Sequence, residues 1–330
     1  MNVRRLIPTT ALAGAVTLGL VTLSACGGSS GSAAADGGKL DVVASFYPMQ
    51  YLAEQIGGDH VSVTTLTKPG VEPHDLELKP KQIGELGEAD YILYLKGIQP
   101  AVDDAVAQAG VKNTVDAATL TTLEKHGTSA GHEPHDHGHE EGAHEEDGHE
   151  HAHEGEAGAD PHVWLDPVKY AEVAKGVGAS LEKADPDNAA AYRKNTDALV
   201  KKLTALDTKF ETGLKNSTTR TFITTHAAFG YLAERYHLEQ EGISGVDPEA
   251  EPSPARIKQL QDTAKKDKVT TVFFETLASD RTAKTLAEDT GLKTDVLDPL
   301  EGITDASRGD DYLQVMEANL AALQKALGAR

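Results

Sequence analysis

The chain has 330 residues, which is enough for two ordinary domains, and 39% of them are hydrophobic, so it can bury a sizeable core. Its 52 acidic residues outnumber its 31 Lys and Arg residues and give a formal net charge of -21. Because so acidic a surface repels phosphate backbones, we expect no nucleic-acid partner. The single cysteine excludes an internal disulfide, an all-thiolate zinc site and an iron–sulfur cluster. Any bound metal must therefore be held by histidine and carboxylate.

The N-terminal segment has the pattern of an export signal. Arg4 and Arg5 precede an uncharged apolar stretch over residues 6–23, so residues 1–25 are predicted to be a signal peptide. The tetrapeptide LSAC, which ends at Cys26, resembles the lipobox of bacterial lipoproteins. We expect a lipid on Cys26 to anchor the chain to the extracytoplasmic face of the cell membrane. The alternative is a single transmembrane anchor.

Short β-branched or apolar runs alternate with segments of helical periodicity after residue 40. The predicted strands are 39–46, 61–66, 90–95, 219–224, 269–275 and 292–297. Strands that alternate with helices imply parallel sheets covered by helices on both faces. Because three strands precede residue 100 and three follow residue 218, we predict an α/β fold of two lobes. Residues 26–39 have the composition of a flexible linker.

A long helical segment separates the two groups of strands. Asp166-Pro167 supplies a capping residue followed by proline at the first helical position, and Asp187 can cap the next helix. In the second of these helices, apolar residues recur at intervals of three, four or seven positions: Tyr192, Leu199, Leu203, Leu206, Phe210 and Leu214. This stripe predicts a rigid backbone helix within residues 187–217. The helix would connect an N-terminal lobe over 40–186 with a C-terminal lobe over 218–330.

Residues 126–160 differ in composition from the rest of the N-terminal lobe. They hold nine of the 14 histidines and eleven acidic residues, they include no Lys or Arg, and alanine is their only apolar residue type. Such a segment cannot build a hydrophobic core. We therefore predict a disordered, histidine-rich insert.

Side chains that can bind metal follow several of the predicted strands. Ligands of a parallel sheet gather at the carboxyl ends of its strands. His74 ends a proline-flanked loop after the second strand, His226 follows the fourth, and His162 lies in a tight turn after the insert. Glu275 ends the fifth strand, and Glu301 follows the sixth. Three imidazoles and a carboxylate match four-coordinate zinc, in which the Zn–N distance is ~2.0–2.1 Å.

Six motifs carry a resemblance to a known family. They are VEPHDLELKP (71–80), DPHVWLDP (160–167), THAAFGYLAERYHL (225–238), EPSPARI (251–257), VFFETLASDRTAKTLAEDTG (272–291) and LDPLEG (297–302). Together they resemble the zinc substrate-binding lipoproteins of ABC importers, the ZnuA/AdcA-like group. The similarity runs from about residue 40 to residue 330. It implies two lobes joined by a long rigid helix, with a metal ion held between them and handed to a membrane permease.

The resemblance also implies a set of ligands. By motif, the three histidine ligands of the family fall on His74, His162 and His226. The fourth position varies between carboxylate and water; Glu301 is preferred here, with Glu275 or water as alternatives, while Asp298 is expected to shape the turn before Pro299. In manganese-selective relatives the position that matches His226 tends to be a carboxylate. A histidine at this position favours zinc, in line with the preference of zinc for imidazole.

The expected function is a non-enzymatic, monomeric carrier that binds extracellular zinc and delivers it to an ABC transporter permease. One alternative is a carrier of manganese or another divalent metal from the same family. A second is a zinc hydrolase, since three histidines and a water also describe catalytic zinc. A third is a surface adhesin, although the sequence contains no recognisable adhesive motif.

The histidines of the insert are predicted to form an auxiliary zinc site. They are His132, His135, His137, His139, His144, His149, His151 and His153. Because ordering a flexible chain around an ion costs conformational entropy, each such site should be weaker than a preformed one. The alternative is a solvated spacer that binds metal only incidentally.

Overall fold

The structure, a computed structural model, describes residues 38–126 and 159–329. The predicted signal peptide, Cys26 with its predicted lipid, and the eight insert histidines lie outside the described residues. None of the described helices has both the length and the apolar character needed to cross a membrane.

The N-terminal part of the fold contains a four-stranded parallel sheet with the strand order β2-β1-β3-β4. The strands are β1 (Leu40–Ala44), β2 (Val61–Thr65), β3 (Tyr91–Tyr94) and β4 (Thr114–Asp116). The helices are α1 (Tyr47–Gly57), α2 (Pro80–Glu88) and α3 (Pro100–Ala109). Adjacent residues of β1 pack into different apolar clusters, Val42 on one face and Val43 on the other. Both faces of the sheet are therefore covered, as a parallel sheet requires.

The C-terminal part repeats this arrangement, with the strand order β6-β5-β7-β8. The strands are β5 (Thr221–Thr224), β6 (Glu239–Gly242), β7 (Thr271–Phe274) and β8 (Lys293–Val296). The helices are α6 (Gly230–Arg235), α7 (Pro254–Lys266), α8 (Arg281–Thr290) and α9 (Tyr312–Leu327). In each sheet the second strand along the chain pairs with one edge of the first strand, and the third strand pairs with its other edge. The carboxyl ends of β5 and β7 therefore flank a topological switch point, where α/β sheets bind ligands.

Two long helices lie between the sheets in sequence, α4 (Pro167–Ala184) and α5 (Ala189–Leu214). The side chain of Asp166 caps α4 as predicted, accepting a hydrogen bond from the backbone N–H of Val168 at 2.7 Å. The prediction that Asp187 caps α5 is wrong. Residues Pro186–Asn188 form a short 3-10 turn in which the backbone N–H of Asn188 bonds back to Asp185, so Asn188 occupies the N-cap position.

Helix α5 carries the predicted apolar stripe, and all six of its residues are buried. The helix packs against α1, α4 and α9. One apolar cluster contains this stripe together with Leu93 of β3 and Phe222 of β5. The two sheets are therefore joined by a continuous hydrophobic core, and the predicted division into segments 40–186, 187–217 and 218–330 remains a proposal.

The predicted α/β class with two parallel sheets is confirmed, and all six predicted strands are present. Strands β4 and β6 were not predicted.

Truncation of the central residue of the stripe should destabilise the fold. Leu203 is completely buried, so Leu203→Ala removes apolar contacts and leaves a cavity that costs about 2–5 kcal/mol. Lys202→Ala, at the neighbouring exposed position, should change the free energy of unfolding by less than about 0.5 kcal/mol. Urea unfolding of both variants measures the difference, and equal effects would contradict the assigned role of the stripe.

Candidate metal centre

The structure brings four of the predicted side chains together. His74, His162, His226 and Glu301 each offer a ligand atom, and these atoms lie within 4.8 Å of one another. Glu301 Oε1 lies 3.1 Å from Nε2 of His162, and its distances to Nε2 of His226 and of His74 are 3.3 Å and 3.6 Å. His162, His226 and Glu301 are buried, whereas the side chain of His74 is 10% exposed. We call these four residues the metal centre.

His226 is held at the switch point of the second sheet. It follows β5, and Glu275 follows the neighbouring strand β7. The imidazole Nδ1 lies 2.6 Å from Glu275 Oε1, which also accepts a hydrogen bond from the hydroxyl of Thr225. A carboxylate at Nδ1 fixes the ring and directs Nε2 into the metal centre. Glu275, given above as an alternative fourth ligand, therefore contacts the far side of the His226 ring and orients it.

His162 is held by a carboxylate in the same way. Asp160 Oδ1 accepts a hydrogen bond from the backbone N–H of His162 at 3.0 Å and lies 2.7 Å from its Nδ1. This function of Asp160 was not predicted, because residues 126–160 were assigned to the insert. That assignment is too wide at its ends, since Asp160 is buried and His126 is hydrogen-bonded to it.

Glu301 follows a tightly bonded turn that Asp298 organises, as predicted. Asp298 Oδ1 accepts a hydrogen bond from the backbone N–H of Leu300 at 2.8 Å, and Oδ2 accepts one from Ser307 Oγ at 2.9 Å. Asn319 bonds to the backbone N–H and carbonyl of Asp298 at 2.9 and 2.7 Å. These contacts hold Leu300 in the left-handed region at a φ of 59°, which costs energy for a residue other than glycine. The direction of the Glu301 side chain is therefore set by the fold.

Trp164 links the segments that carry His162 and Glu301. Its indole N–H donates a hydrogen bond to the carbonyl of Pro299 at 2.7 Å. Its ring centroid lies 5.1 Å from that of His162, and its own carbonyl accepts a hydrogen bond from the Tyr312 hydroxyl at 2.6 Å. The turn that carries His162 and the loop that carries Glu301 are distant in sequence, and this hydrogen bond holds them next to each other.

Buried charges raise the pKa values of two histidines of the centre and lower the pKa of Glu301. Burial disfavours the charged form of His226, but Glu275 and Glu301 outweigh it and hold its pKa well above the ordinary value. For His162, Asp160 and Glu301 likewise outweigh burial and raise the pKa. Burial would raise the pKa of Glu301, yet His226 and His162 hold it well below its usual range. In the absence of a cation, these shifts favour ion pairs of Glu301 with His162 and His226.

Glu72 is a half-buried residue near the centre that was not predicted, and its carboxyl Oε2 is buried. Burial and the charge of Glu301 raise its pKa to about 8. Glu72 Oε1 accepts a hydrogen bond from the backbone N–H of His74 at 3.2 Å. A carboxylic residue, a proline and a histidine thus occur in this order in Glu72–His74 and in Asp160–His162, and the insert contains the same pattern a third time at Glu133–His135. This recurring pattern is the sequence signal from which the roles of Glu72 and Asp160 could have been predicted.

The donor atoms of the centre fit a divalent cation. Within the described residues, Nε2 of His74, Nε2 of His226 and Oε2 of Glu301 are buried without a hydrogen-bond partner. Such atoms are costly unless something pairs with them. Three nitrogens and one carboxylate are suited to tetrahedral zinc, whereas manganese prefers oxygen ligands and higher coordination. His60 and His237 belong to neither of the described groups of residues that could hold a metal.

Metal-free protein should be less stable at about pH 8 than at about pH 6. Because the pKa values of His162 and His226 are raised, their ion pairs stabilise the fold below the ordinary pKa of about 6.5, and this stabilisation is lost as the pH rises through the raised values. Glu72, with its pKa raised to about 8, shifts stability in the same direction. Thermal unfolding of chelator-treated protein measures the difference, and a smaller difference is expected for Glu72→Gln. Equal midpoints at both pH values would contradict this account.

Comparison with known proteins identifies relatives over most of the chain. Residues 42–326 match the family described as "ZnuA: Zinc-uptake complex component A periplasmic". The zinc-binding lipoprotein AdcA of Streptococcus pneumoniae serotype 4 is 38% identical over 294 residues, which are 87% of this chain and 56% of that protein. The chain thus spans little more than half the length of this relative. The high-affinity zinc uptake system protein ZnuA of Bacillus subtilis strain 168 is 38% identical over 313 residues, which cover 92% of this chain and 93% of that protein.

Solved structures agree with this match. The crystal structure of the Zn(II)-bound ZnuA-like domain of Streptococcus pneumoniae AdcA has a TM-score of 0.69 and 34% sequence identity to this chain. The similarity covers 88% of this chain and 99% of that domain. With the family match extending over nearly the whole described fold, the chain belongs to the ZnuA family.

Proposed function

We propose that this chain is an extracytoplasmic carrier that captures Zn²⁺ and delivers it to the permease of an ABC importer. The observation that carries the proposal is the convergence of three imidazole Nε2 atoms on one oxygen of Glu301, at 3.1, 3.3 and 3.6 Å. Ligand atoms around tetrahedral zinc, with bonds of ~2.0–2.1 Å, are separated by about 3.3 Å. The zinc-binding and zinc-uptake names of the relatives support the same cargo.

In this proposal His74, His162 and His226 bind the ion through Nε2, and Glu301 is the fourth ligand. Glu275 is a weaker candidate, since its Oε1 is engaged by Nδ1 of His226 on the far side of the ring. Water is also less suited, because the carboxylate of Glu301 already faces all three imidazoles. A zinc ion replaces the positive charge of the histidines, which must lose their protons to bind it.

The cargo reaches the centre from the side of His74, which is the most exposed ligand. Beside Glu301 lies a cavity of about 200 Å³. Its lining consists of Tyr47, Gln50, Thr67, Lys68, Pro69, Glu301, Gly302 and Ile303. The net negative charge of the chain as a whole favours the approach of cations.

We also propose that the chain is monomeric and not an enzyme. Catalytic zinc needs a coordination position open to water or substrate, and a fourth protein ligand closes that position. Residues 149–153, HEHAH, have the spacing of the metalloprotease motif HExxH, but they lie outside the described residues. Zinc-dependent peptidase or esterase activity that disappears in His226→Ala would favour the hydrolase instead.

The anchor and the insert complete the proposal. A lipid on Cys26 would keep the carrier at the extracytoplasmic face of the membrane, beside the permease. The eight insert histidines would collect zinc at auxiliary sites weaker than the metal centre.

Removal of a ligand should abolish tight zinc binding. Replacement of groups that only orient a ligand typically costs 10–100-fold in metal affinity, so His226→Ala should cost about 100-fold or more and Glu275→Gln about 10–100-fold. His60→Gln, which changes a histidine outside the centre, should leave the affinity unchanged. Competition titration against a zinc chelator provides the measurement. Wild-type affinity in His226→Ala would overturn the assignment of the centre.

Zinc affinity should also fall as the pH drops from about 8 to about 5.5. The histidines must be neutral to bind, and the pKa values of His162 and His226 lie above the ordinary value, so protons compete with zinc at neutral pH. The same titration at both pH values tests this, with protein depleted of metal beforehand. An affinity independent of pH would contradict ligation by imidazole.

Replacement of the eight insert histidines by serine should lower the number of zinc ions bound per chain and leave the tightest affinity unchanged. Equilibrium dialysis with metal analysis gives both numbers. An unchanged stoichiometry would refute the auxiliary role.

Delivery of zinc to the cell is tested separately. Cells whose only copy of the protein carries His226→Ala should fail to grow when zinc is limiting and should recover when zinc is added.

A further inference from the structure

The two ends of the insert meet close to the metal centre. The backbone N–H of Asp160 donates a hydrogen bond to the carbonyl of Glu124 at 2.8 Å. The hydroxyl of Tyr231 accepts a hydrogen bond from the backbone N–H of Glu124 at 2.8 Å and donates one to the carbonyl of Asp160 at 2.8 Å. We call Glu124, His126, Asp160 and Tyr231 the neck. Residues 127–158 connect its two sides in sequence.

His126 is held firmly in the neck. Its Nδ1 lies 3.0 Å from Asp160 Oδ2, its Nε2 lies 2.9 Å from Glu234 Oε2, and its ring packs edge-on against Tyr231 at 4.4 Å. A Cβ atom on Gly230 would lie 2.4 Å from the side chain of His126 and 2.9 Å from Asp160 Oδ2. The absence of a side chain at Gly230 is therefore what permits this packing.

The hydrogen bonds of His126 repeat those of the ligands in the metal centre. In His126, His162 and His226 alike, Nδ1 contacts a buried carboxylate and Nε2 faces a glutamate oxygen. A single residue, Asp160, fixes two of these rings, one through each oxygen. A carboxylate that orients an imidazole in this way is the usual companion of a metal-binding histidine.

We propose that His126, Glu124 and Glu234 form a second site for a divalent cation of the zinc class. Their ligand atoms lie within 4.8 Å of one another, and one nitrogen with carboxylate oxygens suits zinc. The charges of the surrounding side chains also fit a divalent cation. Glu124, Glu234 and Asp160 carry three negative charges against the one positive charge of Lys169, so with a neutral imidazole a doubly charged ion balances the group.

The neck site is weaker than the metal centre for three reasons. Lys169 Nζ lies 2.7 Å from Glu124 Oε1 and competes with a cation for this carboxylate. The side chain of Glu234 is 58% exposed, and water screens its charge. The neck also offers only three protein ligands, one fewer than the metal centre, so water must complete a tetrahedral shell.

The site would receive ions where the insert joins the fold. His126 directly precedes the segment that contains the eight insert histidines, and Asp160 joins it to His162. A cation bound to His126 would thus be connected through the carboxylate of Asp160 to His162, a ligand of the metal centre. The proposal concerns a separate set of ligands and does not require the metal centre to serve transport.

The test uses the full-length chain in which the eight insert histidines are replaced by serine, with zinc alone as the probe. Equilibrium dialysis should give two ions per chain, and an anomalous-scattering map at the zinc edge should place the weaker one at His126 Nε2 and Glu234. Glu234→Gln, which keeps the size of this exposed side chain but removes its charge, should weaken the binding of this ion by about tenfold or more. Lys169→Met, which keeps most of the aliphatic side chain but removes the charge that competes for Glu124, should strengthen it. Glu288→Gln, an exposed glutamate of α8, is the matched control and should change neither ion.

The proposal is overturned if the chain binds one ion in every variant, or if the second ion lies away from His126. It is also overturned if Glu234→Gln and Lys169→Met leave the second affinity unchanged, because His126 would then be a structural ion pair only. His226→Ala separates the two proposals, since it should remove the ion of the metal centre and retain that of the neck. A chain that binds zinc at the neck alone would contradict the proposed carrier function and support the second site.

Discussion

The whole arrangement depends on a carboxylate that is buried among three imidazoles. A fully buried Glu301 would be very costly without charged partners, and its partners come from three stretches of chain separated by more than 60 residues from each other. The surrounding structure serves to keep these groups in place. Asp160 and Glu275 fix two of the rings from behind, and the Asp298 turn fixes the carboxylate.

This geometry is stable because the two sheets do not form independent bodies. The stripe of α5 packs into the same apolar cluster as strands of both sheets, and Trp164 fastens the His162 turn to the Glu301 loop. Separation of the sheets would expose this core to water, at about 25 cal/mol for each Å² of apolar surface. An ion bound at the centre would therefore be most accessible from the loop that carries His74, the most exposed of the four candidate ligands.

The sequence predicts the parts of the fold that produce strong periodic signals. Central strands such as β3 are continuous apolar runs, whereas β4 has three half-buried residues and β6 reads EQEG, so neither edge strand differs from a loop in composition. The candidate ligands followed from the rule that sites gather at strand ends and from family motifs. Composition assigned His126 and Asp160 to the insert, because it describes a whole segment and cannot detect two contacts at its ends. His126 is distinguished from its neighbours only by its tertiary contacts, whereas Asp160 also begins a carboxylate-Pro-His motif.

The position of Trp164 gives the molecule an intrinsic optical reporter. It is the only tryptophan of the chain, its indole ring lies 5.1 Å from that of a candidate ligand, and its N–H bonds to the loop that precedes Glu301. Indole emission depends on the charge and polarity of nearby groups, and here an imidazolium would give way to a neutral, metal-bound ring. The tryptophan emission of the unlabelled protein therefore originates at one known point, where occupancy of the site and movement of the adjoining loop can both be followed.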